Sequence, residues 1–193
     1  MSMEFYRKRA KILKKIMQHS DSAREVLRLC LADGVGAKTF AALVDHFGSP
    51  ATVTSCSAGV LQSVRGVGPK IAAGIAAVTD ESVDEELAVA DAAGAAIVCL
   101  DDERYPAALR TIHNPPPVLW VRGEILSSDV SSVGVVGSRR CSHYGMEQAE
   151  RFGALLGRTG MTVISGGARG IDTAAHRGAL RSGGRTIAIM GCG

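Results

Sequence analysis

Apolar positions along the chain change their spacing once, near residue 95, and that change divides it. From 22 to 78 they recur at helical intervals, in runs broken by glycine or restarted by proline. Val26, Leu27, Leu29 and Cys30 precede Asp33-Gly34, with Ser22 and Glu25 spaced as a capping box ahead of them. Residues 37–47 form a second run closed by Gly48, and further runs start at Pro50, near Ala58, and at Pro69, the last reaching Val78. Asp80 to Ala93 adds an acidic helix with Val83 and Leu87 facing inward, and the short apolar run 96–100 after Gly94 predicts the first strand.

Beyond the extended Pro115-Pro116-Pro117 segment and the apolar residues 118–121, the pattern is strand, glycine turn, helix in regular order. A strand over 132–136 ends in Gly137-Ser138-Arg139-Arg140 and leads to a helix over 144–158. A strand over 162–164 ends in Ser165-Gly166-Gly167-Ala168-Arg169-Gly170 and leads to a helix from Asp172 to Arg181. A strand over 186–190 ends in Gly191-Cys192-Gly193. This is a βαβαβ unit, and its parallel strands place all three turns at one sheet edge, outside their carboxyl ends, where such sheets bind ligands. The fold class is α/β: an N-terminal all-α domain followed by an incomplete Rossmann-like parallel-sheet domain. The divisions read from sequence are a basic arm over 1–20, a helical domain over 21–79 and the Rossmann-like domain over 80–193.

Glycine also marks an internal repeat. Gly34-Val35-Gly36-Ala37-Lys38 returns 32 residues later as Gly66-Val67-Gly68-Pro69-Lys70, each copy joining one helix to the next. A Gly-x-Gly turn leaves backbone N–H groups open at a helix N-terminus, where an anion can sit, and Lys38 and Lys70 stand beside it. The same glycines would equally serve close helix packing, and the sequence leaves both readings open.

Charge sharpens the picture. A net charge of +3 conceals nine acids and no base over 80–103, and eleven arginines against five acids over 104–193. After Lys70 every basic residue is arginine, whose planar fork suits phosphate oxygens, although genomic base composition produces the same bias. At the sheet edge, Gly137, Gly166, Gly167 and Gly170 let backbone approach an anion. Ser138 and Ser165 offer hydroxyls, and Arg139 and Arg169 offer charged forks. Phosphate is the ligand this chemistry suits.

Other chemistries fit less well. The first turn lacks the GxGxxG spacing of dinucleotide sites, the second strand ends without a ribose-binding acid, and no Walker lysine follows, so no cofactor is expected. Asp101-Asp102-Glu103 reads as a solvated loop rather than a metal site. Asp172 and His176 near Ser165 could suggest a hydrolytic triad, but a helix cap and a packed imidazole account for them without the missing nucleophile elbow. No catalytic residue is assigned. The five cysteines are odd in number and widely spaced, and read as small hydrophobes of a cytoplasmic protein.

Several strings together resemble the DprA family, also called Smf, of bacterial DNA-processing proteins. These are Val135-Val136-Gly137-Ser138-Arg139, the run from Val163 to Asp172, Ala175-His176-Arg177-Gly178-Ala179-Leu180, and the run from Thr186 to Gly191. Tyr105-Pro106, Leu109 and Pro117-Val118-Leu119 with Gly123 match the approach segment, so that the resemblance covers about 22–193. It implies a paired helix-hairpin-helix (SAM-like) domain and a Rossmann-like domain that binds single-stranded DNA and loads the RecA recombinase onto it in natural transformation. Arg139 then looks like the phosphate-contacting arginine, with Gly137, Ser138, Ser165, Gly166 and Arg169 lining its groove. The family's sheet continues past the final glycines and contributes to self-association as a homodimer, so this sequence reads as the front part of such a protein. Two alternatives are a nucleoside-monophosphate glycosidase on a related fold, whose Pro-Gly-Gly-x-Gly-Thr-x-x-Glu string is not found, and a helix-hairpin-helix module for duplex DNA or a protein partner.

Overall fold

The computed structural model describes residues 21–191; the basic arm expected over 1–20 lies outside them. Backbone contacts divide the chain into two units, 1–125 and 126–193.

In the first unit, α1 (Asp21–Leu31), α2 (Ala37–Phe47), α3 (Pro50–Ser55), α4 (Ala58–Leu61), α5 (Pro69–Ala77) and α6 (Asp80–Ala92) follow the glycine and proline punctuation of the sequence. Gly48 takes φ +88° and its N–H returns to Val44, closing α2, while Ser49 and Thr79 accept from the N–H groups of Thr52 and Ser82 to start α3 and α6. Leu27, Leu29, Leu43, Val53, Leu61 and Val83 are fully enclosed and form the core. The expected capping box is not made: Ser22 lies inside α1 and bonds Asp101 at 3.4 Å, and Glu25 accepts from the Thr54 hydroxyl at 2.5 Å. A side chain inside the helix cannot serve as its N-cap.

The acidic stretch serves α1. Arg24 pairs with Asp84 at 2.7 Å and Arg28 pairs with Asp80, so that α6 is latched onto α1 by charge as well as by Val83 and Leu87. Strand β1 (Ala95–Cys99) pairs antiparallel with β2 (Val118–Arg122), Ala95 opposite Arg122 and Cys99 opposite Val118. This ribbon is a sheet separate from the parallel one, and its Ile97, Cys99 and Val118 join the helical core. The division at 125/126 therefore differs from the boundary at 79/80 read from sequence: an apolar strand shows that it is buried, not which layer buries it. Between the strands lies the one-turn α7 (Ala107–Arg110), and the buried Tyr105 donates its hydroxyl to Pro116 O at 2.8 Å. Asp102 is bound by Arg104 through Nε at 3.0 Å and Nη2 at 2.5 Å, which holds its carboxyl below the usual range. Among the described residues no three His, Cys, Asp or Glu side chains gather as a metal site. Burial pushes the Cys30 thiol up to about 12 and that of Cys99 up to about 11, leaving both as inert apolar groups. Cys56 and Cys141 are half-buried, and Cys192 lies outside the described residues.

The second unit is a three-stranded parallel sheet, β3 (Ser132–Gly134), β4 (Thr162–Ser165) and β5 (Thr186–Ala188), in the order β3-β4-β5. Helices α8 (His143–Arg158) and α9 (Ile171–Arg181) supply the crossovers and pack on one another and on β4. Their contact is glycine-built: a Cβ at Gly153 would collide with Ala175 O, and one at Gly178 with Glu150 O. Beneath them Val163, Ala175 and Ala179 form a small core with Val135 and Leu156.

A carboxylate closes the far end of this sheet. Asp129 Oδ1 accepts from Arg185 Nε at 2.5 Å and from Thr162 Oγ1 at 2.8 Å, and its Oδ2 accepts from Arg185 Nη2 at 2.8 Å and from the Leu126 N–H at 2.7 Å. Its side chain is 8% exposed. The Arg185 guanidinium first, and the Leu126 and Thr162 donors after burial is set against them, bring its pKa down to about 2. A carboxyl depressed by folding stabilises the fold fully above its unfolded value near ~4 and loses that contribution as pH falls through the folded value. Asp129→Asn is expected to cost the second unit about 2 kcal/mol at neutral pH and to flatten its stability between pH ~4 and ~2. Opening free energies of the β4 amides, measured by hydrogen exchange across that range, check both.

Candidate functional site

Two turns at the carboxyl edge of the parallel sheet are pressed together. Val135 N–H bonds Ile164 O at 2.9 Å and Ile189 N–H bonds Ser165 O at 2.8 Å, which carries the ladders one residue past the strands and delivers both turns at the same level. Gly170, at φ +90°, then lies so close to Ser138 O and Arg139 O that a Cβ would collide with both, and Ile171 N–H reaches Ser138 O at 3.4 Å. A Cβ at Gly137 would stand 2.6 Å from Ile171 Cγ1. Gly170 needs glycine because backbone lies against backbone, and Gly137 because the Ile171 side chain occupies the place of a Cβ.

The apposition puts Gly137, Ser138 and Arg139 on one loop beside Gly166, Gly167, Arg169 and Gly170 on the next. Among the described residues the N–H groups of these seven carry no hydrogen bond within the protein. Arg139 and Arg169 are exposed and make no ion pair with any described residue. Ser138 Oγ accepts from Arg140 N–H at 3.0 Å, which shapes the turn and leaves its own proton to give. Unsatisfied N–H groups beside two exposed guanidinium forks are the donors with which proteins hold phosphate-type anions.

Ser165 is placed otherwise. Its side chain is 2% exposed and its hydroxyl donates to Val135 O at 2.5 Å, so it ties β4 to β3 and offers nothing at the surface. Asp172 is not the helix cap expected from sequence: Gly170 is the cap, and the buried carboxylate turns back beneath the loop toward Ala168 N–H at 3.4 Å. A Cβ at Gly166 would meet that carboxylate at 2.6 Å. The Asp172 side chain thus fills the inner side of the loop, while Arg139 and Arg169 stay exposed. His176 braces the same loop from below, with Nε2 2.9 Å from Gly166 O and Nδ1 2.6 Å from Thr186 Oγ1. Because a carbonyl only accepts, Nε2 carries a proton, and the imidazole joins the loop to β5.

Arg177 escaped the sequence reading. Gly170, Thr173, Ala174 and Arg177 follow one another at helical spacing along one side of α9 and line a groove that continues from Arg169. The i, i+3, i+4, i+7 stripe was visible, but its small residues resemble those of a buried face.

The six glycine and lysine positions of the repeat all lie in the first unit. Gly34 and Gly66 adopt φ +86° and +96°, and Gly36 and Gly68 start α2 and α5 without a side-chain cap. Lys38 and Lys70 are exposed. The first turn also packs: a Cβ at Gly34 would stand 3.0 Å from Ile71, and Gly74 lies against the Asp33 backbone, whereas the space around Gly66 and Gly68 is open.

A helical hairpin domain followed by a Rossmann-like half-sheet defines the fold class of the chain. Comparison with known proteins places it more closely. Residues 96–193 match the family of DNA recombination-mediator protein A, and residues 24–78 match the SAM-like helix-hairpin-helix tandem. The chain belongs to the DNA recombination-mediator protein A family, known as DprA or Smf. It is 41% identical over 92 residues to the DNA processing protein DprA of Streptococcus pneumoniae, covering 48% of this chain and 32% of that protein. It is 39% identical over 97 residues to Protein Smf of Synechocystis sp., covering 48% of this chain and 24% of the relative. The X-ray structure of the S. pneumoniae protein superposes with a TM-score of 0.68 at 27% identity, over 89% of this chain and 58% of that one. The chain thus corresponds to about a quarter to a third of those two relatives by aligned sequence, and to over half of the solved chain.

If the Gly170 contact holds the two turns together, Gly170→Ala strains a left-handed backbone and drives a methyl into Ser138 O. A loss of about 2 kcal/mol or more is expected in the second unit, with faster exchange of the Ile171 amide. Thermal unfolding and amide exchange read the two effects separately.

Proposed function

We propose that this chain binds single-stranded DNA by its phosphate backbone, protects it, and hands it to the RecA recombinase, within the DNA processing that its relatives' names describe. The observation that carries the reading is the pair of apposed turns with unengaged N–H groups and free arginines at Arg139 and Arg169. Phosphate oxygens satisfy both kinds of donor at once, and a contact set made of backbone and arginine reads charge and spacing rather than base identity. A few aromatic side chains, 4% of the chain, also argue against a base-stacking platform.

Gly137, Ser138, Arg139, Gly166, Gly167, Arg169 and Gly170 are the proposed contacts. The reading is of a binding protein that acts in the cytoplasm and pairs with itself as a homodimer, as the family resemblance implies. Among the described residues no helix is long and apolar enough to cross a membrane. The uncapped, open turn at Gly66 to Lys70 supports a second anion contact on the first unit, of the helix-hairpin-helix kind.

Arg139→Ala is expected to weaken binding of an oligothymidine about tenfold and to lower the slope of log K against log salt by about 0.7, the value for one single-strand phosphate. Fluorescence anisotropy over a salt series measures both, with duplex competitor reporting preference for the single strand. Unchanged affinity in a folded Arg139→Ala protein would remove the site from this edge.

A further inference from the structure

We propose that the groove between α8 and α9 seats the nucleotide next along the strand, with Arg177 as a phosphate contact and Met146 as the apolar floor beneath its base. The proposal rests on the single-strand reading above and extends it to a part of the second unit that reading does not use. The groove opens at Arg169 and Gly170, runs past Thr173 to Arg177, and is walled on the other side by the first turns of α8. Its volume is about 270 Å³, just under the roughly 300 Å³ at which small-ligand pockets begin.

Charge in the groove favours an anion. Arg177 is exposed, one helical turn beyond Thr173, and has no partner among the described residues. Glu150 is committed to Arg181. Glu147 is left at the rim, 53% exposed, 3.8 Å from His143 Nδ1. Two free arginines therefore face one carboxylate, which His143 neighbours. Met146 is 42% exposed beside them, and a thioether against the edge of a base is a favourable contact that does not depend on which base it is. Gly170 belongs both to the turn pair and to this groove, so a strand lying on Arg139 and Arg169 reaches it without leaving the surface.

The test uses the full chain and fluorescein-labelled oligothymidines of about 4 to about 16 nucleotides, by anisotropy over a salt series. Arg177→Ala is expected to weaken the longer oligomers about fivefold and to lower the salt slope by about 0.7, with Arg177→Lys recovering part of the loss. Glu147→Gln, a surface change that leaves the fold intact, should instead tighten binding about twofold. Arg158→Ala removes the same charge from the far end of α8 and serves as the control. The groove is refuted if Arg177→Ala weakens binding no more than Arg158→Ala while Arg139→Ala remains strongly impaired, or if Glu147→Gln leaves affinity unchanged. Should Arg139→Ala itself bind normally, the single-strand reading fails and the groove falls with it. Displacement of long oligomers by thymidine monophosphate at comparable concentration would make the groove a mononucleotide pocket and overturn its place on a strand.

Discussion

Backbone against backbone, with no side chain between, is the constraint on which the second unit depends. It occurs where α8 crosses α9 at Gly153 and Gly178 and again where Gly170 meets the Ser138 turn. Interiors are close-packed, and a single methyl at any of these points would have to displace a carbonyl oxygen rather than a side chain. Because α9 is pinned at both places, the loop over 166–170 has little freedom left. His176 and Asp172 then hold its inner side from below. A flexible glycine loop would lose entropy on binding an anion; one braced in this way has lost it already during folding.

The same bracing explains why polar residues at the edge divide into two sets. Ser165, Asp172 and His176 point inward and spend their hydrogen-bonding capacity on Val135, Ala168, Gly166 and Thr186. Arg139, Arg169 and Arg177 point out and spend none on described residues. A triad built from Ser165, Asp172 and His176 would need the serine hydroxyl to reach the imidazole, yet its proton goes to a carbonyl of the neighbouring strand. The residues that look most like catalysis in the sequence are bonded into the scaffold, and the plain arginines are the ones left exposed.

Much of this was legible from the chain alone. Glycine and proline punctuation located helices α1 to α6 to within a residue or two, since a positive φ at Gly48 or a proline at the start of α5 is a local requirement that no distant contact overrides. The βαβαβ order located the edge at which the turns of Ser138 and Gly170 meet. Side-chain direction was not legible. Whether Ser165 faces solvent depends on the strand beside it, and whether Asp172 caps its helix or turns back to Ala168 depends on a loop held by His176. Which layer buries a strand was not legible either: the run 96–100 reads as a buried strand and forms one at Ala95–Cys99, and its burial comes from α1, α6 and the antiparallel β2.

Charge bookkeeping follows from those placements. Arg24 and Arg28 are taken up by the acidic helix, Arg104 by Asp102, Arg181 by Glu150 and Arg185 by Asp129. Each of these pairs ties one element to another or sets a turn, and each removes a cation from any role with a ligand. Phosphate affinity depends on the cations left over, because an arginine already sharing a carboxylate releases little counterion when DNA arrives. Of the eleven arginines beyond residue 103, Arg104, Arg181 and Arg185 are taken up by carboxylates, and among those left Arg139, Arg169 and Arg177 border the glycine turns or the groove leading from them.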